Sequence, residues 1–384
     1  MNTQIIDWQT ISTQQKKDAL ARPAIADNAL LSTQVANILS QVQKQGDKAL
    51  FSLTEQFDGI ALSTLSVTAE QIEQAKLALS SKRLNAINTA YEQIKRFHSA
   101  QTPQDIFVET CPGVRCTLKT EAIESVGLYI PAGSAPLPST VLMLGVPAQL
   151  TGCNRTVLVC PPDKNGQLAN EILVSAELCG ITEIYTIGGA QAIAALAYGT
   201  KTIPAVNKVF GPGNRYVTEA KKQLSQQVAG FAIDMPAGPS EVLVIGDEQA
   251  NAAFIAADLL SQAEHGADSQ VILLTNSEKL IARVADELET QVALLSRREI
   301  AEQALKQSRL ILTNDMAQAV EVSNRYGPEH LIIQTENAQE LLSDLRNAGS
   351  IFVGAYTPES AGDYASGTNH VLPTYGYSKV ISSL

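Results

Sequence analysis

The feature that most constrains the fold of this chain is a repeated alternation of strand-like and helix-like segments. Short runs rich in β-branched residues alternate with longer helical stretches between about Val126 and Met235, and the alternation returns from Glu241 to Val353. Such a pattern is typical of parallel sheets with helical connections. The sequence therefore predicts an α/β fold with two α/β units in tandem.

The strands and helices of each unit can be delimited from the same pattern. In the first unit the predicted strands are 155–160, 183–187 and 208–210, and the predicted helices are 170–178, 190–198 and 216–224. In the second unit the predicted strands are 241–245, 270–275, 309–312, 331–334 and 351–353, and the predicted helices are 251–262, 279–295, 316–326 and 339–347. A long polar loop follows, of the kind that is usually functional.

The first 100 residues look helical and lack this alternation. One helix is predicted from Ser32 toward Phe57, and two more over 69–80 and 84–99. Proline- and glycine-rich segments at 131–133 and 236–239 are the predicted crossing points between domains. The predicted domains are an N-terminal arm (1–25), a discontinuous α/β domain (26–128 plus 239–384) and an inserted α/β domain (129–238).

Composition excludes several classes of protein. The net charge of −11, with only 17% of the 384 residues charged, offers no basic face for a nucleic acid. No apolar run approaches the roughly 18 residues of a membrane span, and the N-terminus shows no secretory signal, so we expect a cytoplasmic protein. The five cysteines are odd in number and form no Cys-x-x-Cys pair, which favours free thiols over disulfides or a thiolate zinc site.

Histidine is the scarcest informative residue, because the chain has only four. His98 lies on an ordinary amphipathic helix, whereas the other three fall in polar, Gly-flanked segments of the second unit. Gln262 and His265 are three residues apart at a predicted helix C-terminus, so an amide oxygen and an imidazole could converge on one ion. The alternative is an ordinary exposed helix face.

Glu329 and His330 form a second candidate site. Gly327-Pro328 ends a helix and a strand follows, so the pair occupies a sheet-edge junction, where α/β proteins commonly place catalytic groups. A carboxylate beside an imidazole supplies two bases of different pKa, one for a water and one for a hydroxyl. A surface polar pair is the alternative interpretation.

The segment 358–370 is a third candidate. Its small and polar side chains cannot build a core, but they suit a loop around a polar ligand. Asp363 offers a carboxylate to a divalent metal. Otherwise it is a turn residue, the commoner role of Asp after Gly.

Two glycine turns of the first unit, 188–191 and 210–214, each link a strand to a helix. Both place backbone N–H groups at a helix N-terminus, which is how the phosphates of a dinucleotide are usually held. Neither turn is a Gly-x-Gly-x-x-Gly motif, and the chain has no Walker A sequence. Each turn could equally be a tight strand-to-helix connection.

In this order, these segments resemble the histidinol dehydrogenase family. The resemblance is carried by 188–200, 210–222, 234–245, 258–275, 326–334 and 349–375. It implies two Rossmann-like α/β/α units of aldehyde dehydrogenase-like architecture with N-terminal helices. The implied activity is the oxidation of L-histidinol to L-histidine through the aldehyde, with NAD and zinc, in a homodimer.

The resemblance also implies roles for individual residues. Zinc would be bound by Gln262, His265 and Asp363, Glu329 would activate the hydrating water, and His330 would transfer protons in both oxidations. The substrate set is Ser240, Gln262, His265, His330, Asp363 and His370. NAD would contact Tyr129, Gln191 and Asn214 in the inserted domain, leaving the discontinuous domain to bind substrate and zinc.

Family members continue into a helical tail that supplies a glutamate, a fourth zinc ligand and dimer contacts. The printed sequence stops at Leu384, so we expect impaired turnover, weaker zinc binding and a weaker dimer. One alternative is a relative that retains only NAD or metal binding. Another is an aldehyde dehydrogenase-like enzyme with a cysteine nucleophile, for which Cys153 and Cys179 are the candidates.

Overall fold

The computed structural model describes residues 3–23, 28–131, 136–235, 238–364 and 366–381. The chain divides into two compact units. Unit 1 comprises Met1–Ala26, Met235–Gly362 and Leu372–Leu384, and unit 2 comprises Asp27–Asp234 and Asp363–Val371. The second α/β series of the sequence analysis therefore lies in unit 1, and the first lies in unit 2. The domain limits given above stay a prediction, and most of the two predicted crossing segments lies outside the described residues.

The strands are β1 (Gln4–Asp7), β2 (Ile106–Cys111), β3 (Val114–Leu118), β4 (Ser125–Tyr129), β5 (Arg155–Cys160), β6 (Glu183–Thr186), β7 (Lys208–Phe210), β8 (Ala232–Ile233), β9 (Glu241–Gly246), β10 (Gln270–Thr275), β11 (Arg309–Leu312), β12 (His330–Gln334) and β13 (Ser350–Val353). The α-helices are α1 (Thr13–Ala19), α2 (Asn28–Gln45), α3 (Asp47–Asp58), α4 (Ala69–Ala78), α5 (Ser81–Ser99), α6 (Pro138–Thr151), α7 (Asn170–Leu178), α8 (Gly189–Tyr198), α9 (Arg215–Gln227), α10 (Ala252–Ala263), α11 (Glu278–Val292), α12 (Arg298–Lys306), α13 (Met316–Tyr326) and α14 (Glu359–Tyr364).

Unit 2 is built on a parallel five-stranded sheet with strand order β6-β5-β4-β7-β8. Side chains alternate along its strands, so that Val157 and Val159 enter one apolar core and Leu158 enters the other. Helices therefore cover both faces of the sheet. A separate antiparallel hairpin, β2-β3, has every residue of both strands exposed.

Unit 1 is built on a parallel six-stranded sheet with strand order β1-β11-β10-β9-β12-β13. Val242 and Val244 face one core, and Leu243 and Ile245 face the other. Counted within each unit, both sheets run 3-2-1-4-5, the order of the doubly wound Rossmann fold, and unit 1 adds β1 beside its third strand. The predicted fold class, with two Rossmann-like units, is confirmed.

Four sequence expectations about single elements were wrong. The segment after Val353, predicted as a long loop, contains the short helix α14. The helix predicted from Ser32 toward Phe57 is two helices, because Gly46 adopts φ +55° between them. The helix predicted over 339–347 is one 3₁₀ turn, Glu340–Ser343, after which the amides of Arg346 and Asn347 donate to the Asn324 side chain instead. The helix predicted over 279–295 ends at Val292, and α12 follows it.

None of the helices in the described ranges has the length and apolar character needed to cross a bilayer.

Candidate functional site

Glu329 and His330 lie where α13 gives way to β12 in unit 1. The helix ends at Tyr326 because Gly327 adopts a left-handed φ of +66°, and Pro328 cannot continue the helix. The predicted junction is therefore present. It lies at the amino end of β12, whereas ligands of open α/β sheets usually bind outside the carboxyl ends.

The backbone of Glu241, the first residue of the neighbouring strand β9, connects the two side chains. Its N–H donates to Glu329 Oε2 at 2.9 Å, and His330 Nδ1 lies 3.1 Å from its carbonyl oxygen. A carbonyl oxygen only accepts, so Nδ1 carries the proton and Nε2 is the ring nitrogen able to take one. Both side chains are buried, and Nδ1 lies 3.6 Å from Glu329 Oε2.

Gln262 and His265 meet at the C-terminus of α10, also in unit 1. Gln262 is fully buried on the last turn, and His265 follows two residues after the helix. The Gln262 amide fits best with its nitrogen donating to Glu359 Oε2 at 2.6 Å and its oxygen accepting from Ser240 Oγ at 3.3 Å. In this orientation the oxygen end of the Gln262 amide is also the end that lies 3.4 Å from His265 Nδ1. The cluster therefore brings together three predicted site residues and Glu359.

Glu359 and Asp258 are buried carboxyl groups of unit 1 that the sequence analysis did not select. Glu359 is only 2% exposed and also accepts from Ser261 Oγ at 3.4 Å. Asp258 accepts from Gln334 Nε2 at 2.8 Å, and burial raises the pKa of Asp258 to about 6. A sequence signal existed for Glu359, since it lies in the polar segment 358–370 from which Asp363 and His370 were chosen. Asp258 lies inside an apolar helical stretch, and no sequence pattern marked it as a candidate.

Asp363 and His370 form a pair within unit 2. His370 Nδ1 lies 3.2 Å from Asp363 Oδ1, and its Nε2 lies 3.2 Å from Thr140 Oγ1 on α6. The adjacent Asn369 donates to the Met143 carbonyl at 2.8 Å, which fixes the segment against the same helix. Among the described residues, no group of three or more His, Cys, Asp or Glu side chains lies close enough to hold a metal ion.

The first glycine turn lies at the carboxyl end of the unit 2 sheet. Tyr129, the last residue of β4, is buried, and its hydroxyl accepts from the Gly189 N–H at 3.2 Å. Burial raises the pKa of Tyr129 to about 12, so the phenol stays neutral. Gln191, only 2% exposed, lies in the first turn of α8.

The second glycine turn follows β7, the neighbour of β4. Gly211 has φ +121°, and a Cβ there would lie 2.1 Å from the Tyr129 carbonyl oxygen, so only glycine fits. Asn214 caps α9 by accepting from the amides of Tyr216 and Val217 at 3.0 and 3.2 Å. The second turn therefore lies where the strand order of unit 2 reverses, whereas the first follows the edge strand β6 and contacts Tyr129.

A buried ion pair that the sequence analysis missed holds the second turn. Lys221 donates to Asp234 Oδ1 at 2.8 Å and to the Gly211 carbonyl, while Asp234 Oδ2 accepts from the Gly211 N–H at 2.7 Å. Both side chains are at most 4% exposed. The turn is thus fixed from both sides of Gly211. No local pattern marks the pair, because its members are thirteen residues apart on separate elements.

The cysteines do not favour the thiol mechanism. Burial raises the pKa of Cys179 to about 12, which opposes formation of the thiolate that a nucleophile needs. Cys153 is half-buried and contacts Thr151 Oγ1 at 3.5 Å.

Comparison with known proteins gives a consistent result. The sequence model of the histidinol dehydrogenase family matches residues 21–384. A histidinol dehydrogenase of Colwellia psychrerythraea is 84% identical over the whole chain, which covers 88% of that relative, and one of Idiomarina loihiensis is 57% identical over 99% of the chain and 86% of its own length. The crystal structure of histidinol dehydrogenase from Elizabethkingia anophelis matches with a TM-score of 0.95 and 46% identity, covering 100% of this chain and 87% of that one.

Proposed function

Because the chain belongs to the histidinol dehydrogenase family, whose members are oxidoreductases of histidine biosynthesis, we propose that it oxidises L-histidinol to L-histidine through L-histidinaldehyde. NAD is the hydride acceptor in this proposal, and zinc is the bound metal. The main supporting observation is the buried Glu329–His330 pair. The Glu241 N–H donates to Glu329 Oε2 at 2.9 Å, and the Glu241 carbonyl oxygen lies 3.1 Å from His330 Nδ1. The resemblance and the chemistry of these residues support the finer assignments below.

The two bases divide the proton transfers. In the first oxidation His330 takes the hydroxyl proton while a hydride leaves the alcohol carbon for NAD. Glu329 would then take a proton from the water that adds to the aldehyde, while protonated His330 returns its proton to the former carbonyl oxygen and becomes a base again. The hydrate would lose a hydroxyl proton to His330 and a second hydride to a second NAD, which gives the carboxylic acid and two NADH in all.

Zinc fits the donors at the end of α10. Two ligands about 2.0–2.1 Å from a tetrahedral zinc ion are separated by about 3.3–3.4 Å, and the Gln262 amide lies 3.4 Å from His265 Nδ1. Gln262, His265 and Asp363 would hold the ion, which supplies a positive charge that orients the imidazole and amine of the substrate. Ser240 and His370 complete the proposed substrate set.

NAD is assigned to unit 2. The N-terminus of a helix favours phosphate groups, and the two glycine turns lead into the N-termini of α8 and α9 beside Tyr129, Gln191 and Asn214. Homodimerisation, which rests on the resemblance, and cytoplasmic residence, which suits an enzyme of amino-acid biosynthesis, are part of the same proposal.

The test is NADH formation by the 384-residue chain supplied with L-histidinol, NAD and zinc. We expect two NADH per histidinol consumed, with histidine as the product. Aldehyde accumulation with one NADH would contradict the role of Glu329. NAD binding by calorimetry without any NADH would favour the alternative of a relative that only binds its ligands.

A further inference from the structure

Arg22 pairs with the residue whose backbone contacts both Glu329 and His330. Arg22 donates through Nε and Nη2 to both carboxylate oxygens of Glu241, the Nη2 distance being 2.8 Å. This bidentate pair is buried, with 12% of the Arg22 side chain and 2% of the Glu241 side chain exposed. Glu241 is the residue whose backbone contacts both proposed bases.

Arg22 also contacts the turn that leads into Glu329. Its Nη2 donates to the carbonyl oxygens of Tyr326 and Gly327 at 3.2 and 3.0 Å, and its guanidinium lies 4.0 Å from the centre of the Tyr326 ring. Only Pro328 separates this turn from Glu329, and the ring of proline limits the motion of that link. One guanidinium therefore fixes the start of β9 and the approach to β12.

A third segment reaches the same carboxylate. The N–H of Tyr375 donates to Glu241 Oε1 at 3.0 Å, and the Tyr375 hydroxyl donates to the carbonyl of Pro23 next to Arg22. Glu241 therefore has its charge neutralised and both oxygens bonded. Without the guanidinium, the buried Glu241 carboxylate would be uncompensated on the residue whose backbone contacts Glu329 and His330, and an unpaired buried charge there would destabilise the junction between β9 and β12.

We propose that Arg22 is a positioning residue for the oxidation, acting through Glu241 to hold Glu329 and the Nδ1–H form of His330 in place. The inference rests on the proposed function for its kinetic consequence. Its structural content, the orientation and tautomer of His330, is independent of turnover.

The test compares Arg22→Met with a matched control, Arg155→Met. Arg155 makes a bidentate pair with Glu183 at 2.8 and 2.7 Å, and both residues belong to unit 2, whereas the proposed bases belong to unit 1. A displacement near 1 Å at the reacting groups costs up to roughly 100-fold in rate. We expect a 10- to 100-fold loss of kcat in both oxidations for Arg22→Met, with NAD affinity unchanged by calorimetry, and no comparable loss for Arg155→Met.

Two further variants separate positioning from stability. Arg22→Lys keeps the charge but cannot make the bidentate contact, so we expect partial recovery of kcat. The double variant Arg22→Met/Glu241→Gln removes the uncompensated charge, so stability to denaturant should recover while kcat stays low. Recovery of kcat together with stability would reduce Arg22 to a structural residue and overturn the proposal.

The tautomer of His330 provides a readout that needs no turnover. With only four histidines, ¹⁵N spectra can be assigned by subtracting that of His330→Asn. We expect the Nδ1–H form in the natural chain and in Arg155→Met, and a mixture of tautomers in Arg22→Met. If the natural chain forms no NADH, the proposed function fails, and the spectra still decide the positioning. An unchanged His330 signal in Arg22→Met would refute it.

Discussion

The two units share one strand order but present their notable residues at opposite ends of the sheet. In unit 2 the glycine turns follow β4's neighbour β7 and strand β6, at the carboxyl ends. In unit 1 the polar network involves β9 and β12, the counterparts of β4 and β7, but it lies at their amino ends. Equivalent strands of the two sheets thus present different side chains at opposite ends.

The ends of the neighbouring helices explain the difference. At the carboxyl ends of strands helices begin, and their free N–H groups and positive dipole favour anions such as phosphates. At the amino ends helices finish, and carbonyl oxygens and the negative dipole favour cations. Gln262 and His265 lie at such a helix C-terminus, where a cation is favoured, and both the proposed metal ion and the amine of the proposed substrate are cations.

The largest effects are expected at the amino-end network. His330→Asn should slow both oxidations by roughly 100- to 10,000-fold, because the base for both hydroxyl protons is lost. Glu329→Gln keeps the shape but loses the base for the hydrating water, so oxidation of the alcohol should persist better than oxidation of the aldehyde. Single-turnover NADH formation from histidinol and from histidinaldehyde measures each step.

Affinity for NAD serves as the control for this pair of variants. The proposed NAD turns belong to unit 2, so neither substitution should change the NAD dissociation constant. Equal small losses in both half-reactions for both variants would contradict the division of roles.

The next effect concerns the carboxyl-end turn. Lys221→Met leaves Asp234 buried without its cation, and breaking such a pair costs about 3–5 kcal/mol of unfolding free energy. Because Lys221 and Asp234 hold both sides of Gly211, NAD affinity should fall as well. Urea unfolding and calorimetric titration with NAD measure the two consequences.

Lys222→Met is the matched control, since the Lys222 side chain is 66% exposed and lies 3.9 Å from Glu219. Its effect on stability should be within about 0.5 kcal/mol. Unchanged NAD affinity in Lys221→Met would show that the turn does not depend on the ion pair, and the assignment of NAD to unit 2 would lose support.

Local sequence patterns predicted most of the helices and strands, because these elements depend mainly on interactions between residues that are close in the sequence. The strand and helix limits of 155–160, 170–178 and 316–326 are those observed, since periodicity and caps are properties of neighbouring residues. The strand β1 was missed. It has only four residues, and its partner β11 lies some 305 positions away, so nothing nearby in the sequence marks it.

The residues of the candidate site also differ in how well the sequence predicted them, according to how close their partners lie in the chain. Gln262 with His265 and Glu329 with His330 were found because each pair is close in sequence and includes a rare histidine. Arg22, Glu241 and Asp234 were not, because their partners are distant in the chain and because Arg, Glu and Asp usually lie in solvent. Only burial shows that these charges are constrained.

The smallest predicted effect compares one buried aspartate from each unit. Asp234 is paired with Lys221, whereas the contacts of Asp258 are a Gln334 amide and the Glu359 backbone, and burial raises its pKa to about 6. The folded state therefore binds more protons than the unfolded state between about pH 4 and 6, so this group makes stability fall as pH rises through that window. The rise from 3.8 to about 6 corresponds to at most about 3 kcal/mol above pH 6.

Asp258→Asn should remove that penalty, because the neutral amide can still accept from Gln334. Urea unfolding with a chelator present should show the variant close to the natural chain at pH 4 and more stable at pH 7. Asp234→Asn, the counterpart in unit 2, should be destabilising at pH 7, because Lys221 would lose its buried anion. If the free energy of unfolding of the natural chain and of Asp258→Asn varied with pH in the same way, Asp258 would be ionised in the folded state without a loss of stability. The proposed difference between Asp258, which is neutral when protonated, and Asp234, which is paired with a lysine, would then be wrong.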